Sequence, residues 1–304
     1  MTTDDNERIA LWKLNPKTKS KKHIFLTHGT FSNRKICSGI ASYLTDQGFT
    51  CWLMEWRNHG ESSKAKNNFD FETIAKYDLK STFEFLFKDR NINSIDCLAH
   101  SGGGIALTMF LINNPNYQPK INSITLFGVQ AFGAGTEFNN RMKILASKYL
   151  TALLGVVPAK TAGSTEHSES YYTMKQWFNW NLKQNFIGEN GFDYLNEMKK
   201  IKIPILSICA SGDNFIAPKV GCEKYLNAFE NSENQLIYLS KENGNLENYN
   251  HSRILKSQNS KKEIWPIVTE WINKKNYCQQ CYNSLLVKAY LRKFRWNFLS
   301  VIIC

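Results

Sequence analysis

Five short apolar runs, rich in β-branched and aromatic residues, recur along the chain with helical patterns between them. They are His23–Thr27 (HIFLT), Phe49–Trp56 (FTCWLMEW), Ser94–Ala99 (SIDCLA), Ile121–Phe127 (INSITLF) and Ile203–Ala210 (IPILSICA). Each is close to continuous in apolar character, the pattern of a strand buried on both faces. The intervening segments are spaced as helices, with Ile36, Ile40 and Leu44 in one. Ile74, Leu79, Phe83 and Leu86 mark a longer one from Phe71 to Phe87, and Ile105–Leu111 forms a third. Such strands alternating with helices require a mostly parallel sheet flanked by helices on both faces. The expected class is α/β.

The rhythm breaks between Phe132 and Lys200, where aromatics such as Tyr149, Tyr171, Trp177, Phe178 and Trp180 gather without a clear strand. This stretch reads as a helical insertion between two sheet strands. Its aromatics either pack it against the body of the protein or line an apolar pocket outside the carboxyl ends of the strands. The expected organisation is a core over 1–131, a helical cap over 132–200, and a second core part over 201–275. A final helix spans Ile264–Ile272, and a basic tail of unassigned role covers 276–304.

Composition narrows the setting. The eight cysteines among 304 residues are scattered, and several lie inside apolar runs, as expected of reduced thiols. Cys278 and Cys281 form a C-x-x-C with no second pair at zinc-like spacing, so neither metal nor cofactor is expected. The opening residues do not resemble a secretory signal, and no run is long enough to span a bilayer, so a cytoplasmic protein is expected. The net charge of +12 concentrates in Lys13–Lys22 and in the tail, where Lys288, Arg292, Lys293 and Arg295 have no acidic neighbour. These runs are read as solvated segments, with weak attraction to an anionic membrane surface as the second reading. Nucleic acid is not an expected partner, because no recognition motif accompanies the charge.

Residues 97–105 read CLAHSGGGI. A serine is a poor nucleophile unless a neighbouring base takes its proton and a turn exposes its oxygen. The strand-to-helix elbow G-x-S-x-G achieves this with small residues two positions either side of the serine. Ala99 and Gly103 fill those positions around Ser101, with His100 and Gly102 beside it. Alanine is acceptable at 99 provided the backbone there avoids positive φ.

The remaining parts of such a site occur in order. His28-Gly29-Thr30-Phe31 follows the first of these strands and supplies an oxyanion-hole loop; Thr30 and Gly102 are the expected N–H donors, with Phe31 as the alternate. Asp213 follows the strand ending at Ala210, and His251 falls in a loop before the final helix. Ser101, Asp213 and His251 thus run in the order nucleophile, acid, base. His28, His59 and His100 are read as positional, His23 begins a strand, and His167 lies in the insertion. Asp78 and Asp96 are read as structural or surface acids.

With these motifs the chain, from about His23 to Ile272, resembles the α/β-hydrolases. FDFETIAKYDL (69–79) and YNH (249–251) are locally similar to the acid lipases of gastric and lysosomal type. Gly102 stands where those lipases carry glutamine, and bacterial esterases and lysophospholipase-like hydrolases are an equal comparison. The resemblance implies hydrolysis of a small-molecule or lipid carboxylic ester through an acyl-enzyme. Acyl transfer to another acceptor or C–C bond hydrolysis would use the same residues.

Overall fold

The computed structural model describes residues 1–157 and 168–277. Seven strands form one sheet among them: β1 (Ala10–Leu14), β2 (His23–Thr27), β3 (Thr50–Glu55), β4 (Ile95–His100), β5 (Ile121–Phe127), β6 (Ile205–Ala210) and β7 (Gln235–Leu239). Their order is β1-β3-β2-β4-β5-β6-β7, with β1 antiparallel to β3 and every other pair parallel. The arrangement is that of the α/β-hydrolase fold.

Strand periodicity divides the apolar side chains between two layers. Ile24, Leu26, Leu53 and Leu98 face one way, onto α1 (Lys35–Asp46) and onto Trp265 and Val268 of a helix running through residues 258–277. Phe25, Met54, Cys97 and Ala99 face the other way, onto Phe83 and Phe110 of the helices α2 (residues 71–89) and α3 (Gly102–Asn113). α3 is apolar nearly all round and is buried from Gly102 to Leu111, as such a helix must be.

α2 begins at Asp70, whose carboxylate accepts the Thr73 N–H at 2.8 Å. The helix widens to π winding over Ile74–Leu79 and Phe85–Asp89. Asp78, in the first of these segments, is buried and accepts two hydrogen bonds from the Arg57 guanidinium, at 2.9 and 2.6 Å. Asp96 is likewise buried and accepts the Ser123 hydroxyl at 2.7 Å. Both acids serve structure.

Between β5 and β6 the described chain forms α4 (Phe138–Leu154) and α5 (Tyr171–Lys183), with a two-residue strand pair, Val156–Val157 and Glu169–Ser170, between them. Cys37, Cys51, Cys97, Cys209 and Cys222 are buried free thiols, and burial pushes Cys37 and Cys51 up to about 12. His167, Cys278, Cys281 and the basic cluster of the tail lie outside the described residues. No helix among the described residues is long and apolar enough to cross a membrane.

Candidate active site

β4 ends at His100 and α3 begins at Gly102, so Ser101 occupies the turn between them. Its backbone is at φ 50°, ψ −127°, a conformation that L residues rarely adopt. Neighbouring backbone holds it there: the Ser101 N–H donates to the Phe127 carbonyl at 2.9 Å, and the Gly104 N–H donates to the Ser101 carbonyl at 2.9 Å. The turn runs close to the next loop, since a Cβ on Gly103 would lie 2.4 Å from the His28 carbonyl oxygen. Ala99, by contrast, lies in β4 without positive φ and packs its methyl into the core, so the backbone does not require glycine there.

Three loops at the carboxyl ends of β4, β6 and β7 bring Ser101, Asp213 and His251 together. His251 Nε2 lies 2.7 Å from Ser101 Oγ, and Nδ1 lies 2.5 Å from Asp213 Oδ2. An ionised carboxylate only accepts, so Nδ1–H donates to Asp213 and Nε2 accepts the serine hydroxyl. Burial works against charge on Asp213. The charge and hydrogen bond of His251, aided by the Ala217 N–H at 3.1 Å, outweigh it and hold the carboxyl below its ordinary range. Gly128, just past β5, has φ +56°, and a Cβ there would crowd His251 Nδ1 at 3.2 Å and Asp213 Oδ2 at 3.3 Å. No sequence motif marked that glycine.

His100 sits beside the hydrogen-bonded line of Ser101, His251 and Asp213 rather than in it. Its Nε2 lies 2.9 Å from the His251 carbonyl, to which it donates, and the two rings stand 4.8 Å apart. Burial, reinforced by the nearby His251, drives His100 down to about 3, so it is a neutral prop for the His251 loop.

The loop after β2 lies against Ser101. A Cβ on Gly29 would fall 2.5 Å from the Ser101 Cβ and 3.1 Å from its Oγ, so only glycine fits this approach. His28 orients the loop, with Nδ1 2.7 Å from the Gly29 carbonyl and Nε2 accepting the Trp56 N–H at 3.2 Å. The N–H groups of Thr30 and Gly102 meet no acceptor among the described residues. A Cβ on Gly102 would be 3.3 Å from Thr30 Cγ2, which places the two residues side by side. The Phe31 N–H is directed elsewhere, donating to the Glu169 carboxylate at 3.3 Å.

Glu169 is the residue that sequence reasoning missed. It is buried in the segment between β5 and β6, and its carboxylate lies 3.3 Å from His59 Nε2. No local motif distinguishes it from other acids in that stretch.

A cavity of about 670 Å³ opens over Ser101 and His251. α4 contributes Ser147, Leu150 and Thr151 to its lining, and α5 contributes Met174, Trp177 and Phe178. Among the described residues Asp213 is the one acid in the lining, and Lys35 and Lys256 line it with no ion pair.

Residues 22–161 match the family model of the alpha/beta hydrolase fold. Two curated relatives, both an acyl transferase of Photobacterium leiognathi, are 24% and 25% identical over 218 residues, or 70% of this chain. The matches cover 63% and 65% of those proteins, so the chain spans less than two thirds of their length. Among solved structures, an esterase from Exiguobacterium antarcticum superposes with a TM-score of 0.63 at 12% identity, covering 90% of this chain and 98% of that one. A monoacylglycerol lipase from Paleococcus ferrophilus superposes with a TM-score of 0.62 at 15% identity, covering 88% and 99%. At such identities the structural likeness establishes the α/β-hydrolase fold.

Proposed function

We propose that this α/β-hydrolase-fold chain is a serine hydrolase of carboxylic esters, with Ser101 as nucleophile, His251 as base and Asp213 as its orienting acid. The observation that carries the reading is the hydrogen-bonded line from Asp213 through His251 to Ser101, 2.5 and 2.7 Å long, opening onto a cavity. In this reading Ser101 Oγ attacks the ester carbonyl as its proton passes to His251 Nε2. Asp213 keeps Nδ1 protonated and stabilises the imidazolium that forms. The tetrahedral oxygen is held by the Thr30 and Gly102 N–H groups. The alcohol then leaves with the proton from His251, and water, deprotonated by the same imidazole, releases the acid and restores Ser101. No metal or organic cofactor takes part.

The apolar side chains of Leu150, Met174, Trp177 and Phe178 suit an acyl chain. The esterase and monoacylglycerol lipase among the structural neighbours agree with an ester substrate. The local likeness to acid lipases is consistent with a lipid ester. A second reading, transfer of the acyl group to an acceptor other than water, is favoured by the name of the two curated relatives.

Hydrolysis of p-nitrophenyl esters of graded chain length, with and without an added alcohol or thiol, tests both. The proposal expects nitrophenol and free acid, with a preferred chain length. An acylated acceptor as the main product would favour the second reading, and no turnover at any length would defeat the first.

A further inference from the structure

α4 is reversed relative to an ordinary surface helix. Its buried positions include Asn140, Ile144 and Thr151, and Asn140 and Thr151 are polar. Its outward side carries Phe138, Met142, Leu145, Tyr149 and Leu153, spaced by four, three, four and four residues. That spacing lays a single apolar stripe along the helix. The stripe meets solvent: Leu153 is 84% exposed, Phe138 75%, Tyr149 64% and Met142 47%. Isolated exposed apolar residues need no explanation, but a contiguous stripe of this kind does.

Charge says what covers it. The 17 residues of α4 contain Arg141, Lys143 and Lys148 and no acid. At helical spacing these cations flank the stripe, Arg141 and Lys148 on one side and Lys143 on the other. The Arg141 guanidinium donates to the Leu182 carbonyl at 2.6 Å, and the Lys143 ammonium lies 5.7 Å from the centre of the Phe215 ring. α5 has no acid either, and Lys35 and Lys256 line the cavity that α4 helps to enclose. An apolar stripe edged by cations is the pattern of a helix lying in the headgroup layer of an anionic lipid surface. A second copy of the chain is a poor fit, since a two-fold contact through this face would set the flanking cations of one helix against those of the other.

We propose that the outer face of α4 seats the protein on an anionic lipid surface. Leu150 lines the cavity and is itself exposed, so the seated helix would connect the bilayer to the cavity over Ser101. The docking stands on the α4 surface alone; the supply of a lipid ester from the bilayer rests on the ester-hydrolase reading.

The test is co-sedimentation of the full chain with vesicles of mixed phosphatidylglycerol and phosphatidylcholine, compared with phosphatidylcholine alone. The proposal expects binding to the anionic vesicles, weakened by salt. In the variant Met142→Ser/Tyr149→Ser/Leu153→Ser the bound fraction should fall by at least about tenfold. Lys148→Glu, which removes no apolar surface, should weaken only the anionic preference. These residues do not line the cavity, so hydrolysis of a short soluble ester should be unchanged in both variants, which also reports that they fold. Equal binding by wild type and the triple variant overturns the proposal, as does an absence of binding. Self-association of the wild type that the triple variant abolishes, with no vesicle binding, also overturns it and assigns the face to a second copy. Failure of the esterase reading would appear separately, as undiminished short-ester hydrolysis in Ser101→Ala.

Discussion

The Glu169 carboxylate lies 3.3 Å from His59 Nε2, and both side chains are sealed from solvent. The same carboxylate accepts the Phe31 N–H, so one buried ion pair joins the segment between β5 and β6 to two core loops beside Ser101. Burial opposes a charge on His59, but the Glu169 carboxylate outweighs it and raises the pKa. The folded state therefore prefers protonated His59. This contribution is fully present below the unfolded value of about 6.5 and fades as pH rises through the raised folded value. Glu169→Gln should destabilise by roughly 3 kcal/mol near pH 6, and the deficit should shrink as pH rises through the raised folded value. Urea unfolding across that range measures it, and a deficit independent of pH would count against the pair.

If the chain is the proposed ester hydrolase, Gly29→Ala should cut ester hydrolysis by at least about a hundredfold, because the new methyl collides with Ser101 and displaces its hydroxyl. Ala99→Gly is the matched control. It should keep activity and lose about 1 kcal/mol of stability, since Ala99 lies in ordinary strand geometry. Activity lost in the control and kept in Gly29→Ala would reverse the account of this turn.

His100 should make the protein acid-sensitive. Its environment includes His251, Asp213 and Lys256, and burial drives its pKa to about 3. Between about 6.5 and 3 the unfolded chain therefore binds a proton that the folded one refuses, so stability falls as pH drops through this window. His100→Gln removes that titration. Its acid-unfolding midpoint should move to lower pH relative to its neutral stability, by an amount worth a few kcal/mol at the acid end. A parallel loss at every pH would mean that His100 acts only through packing.

The strands that were legible in the sequence are those covered on both faces. His23–Thr27 and Ile121–Phe127 are strands at those bounds, because a doubly buried strand must be apolar throughout. β1 (ALWKL) and β7 (QLIYL) are edge strands, partly solvated, and their apolar runs, three and four residues long, are too short to separate from helix or loop. The grouping of Ser101, Asp213 and His251 was legible because each sits in a local motif on a loop that follows a strand. Glu169 and Gly128 were not, since their importance lies in contacts with residues distant in the chain. The stripe on α4 is written in the sequence at helical spacing, but nothing there says which side of the helix faces solvent.

Covalent labelling with a fluorophosphonate, with the adduct mapped by mass spectrometry, tests the central claim most directly. The account predicts one modified serine, Ser101, in the wild type, slow labelling in His251→Ala, and none in Ser101→Ala. An adduct on any other serine, or equal labelling of wild type and Ser101→Ala, would contradict it.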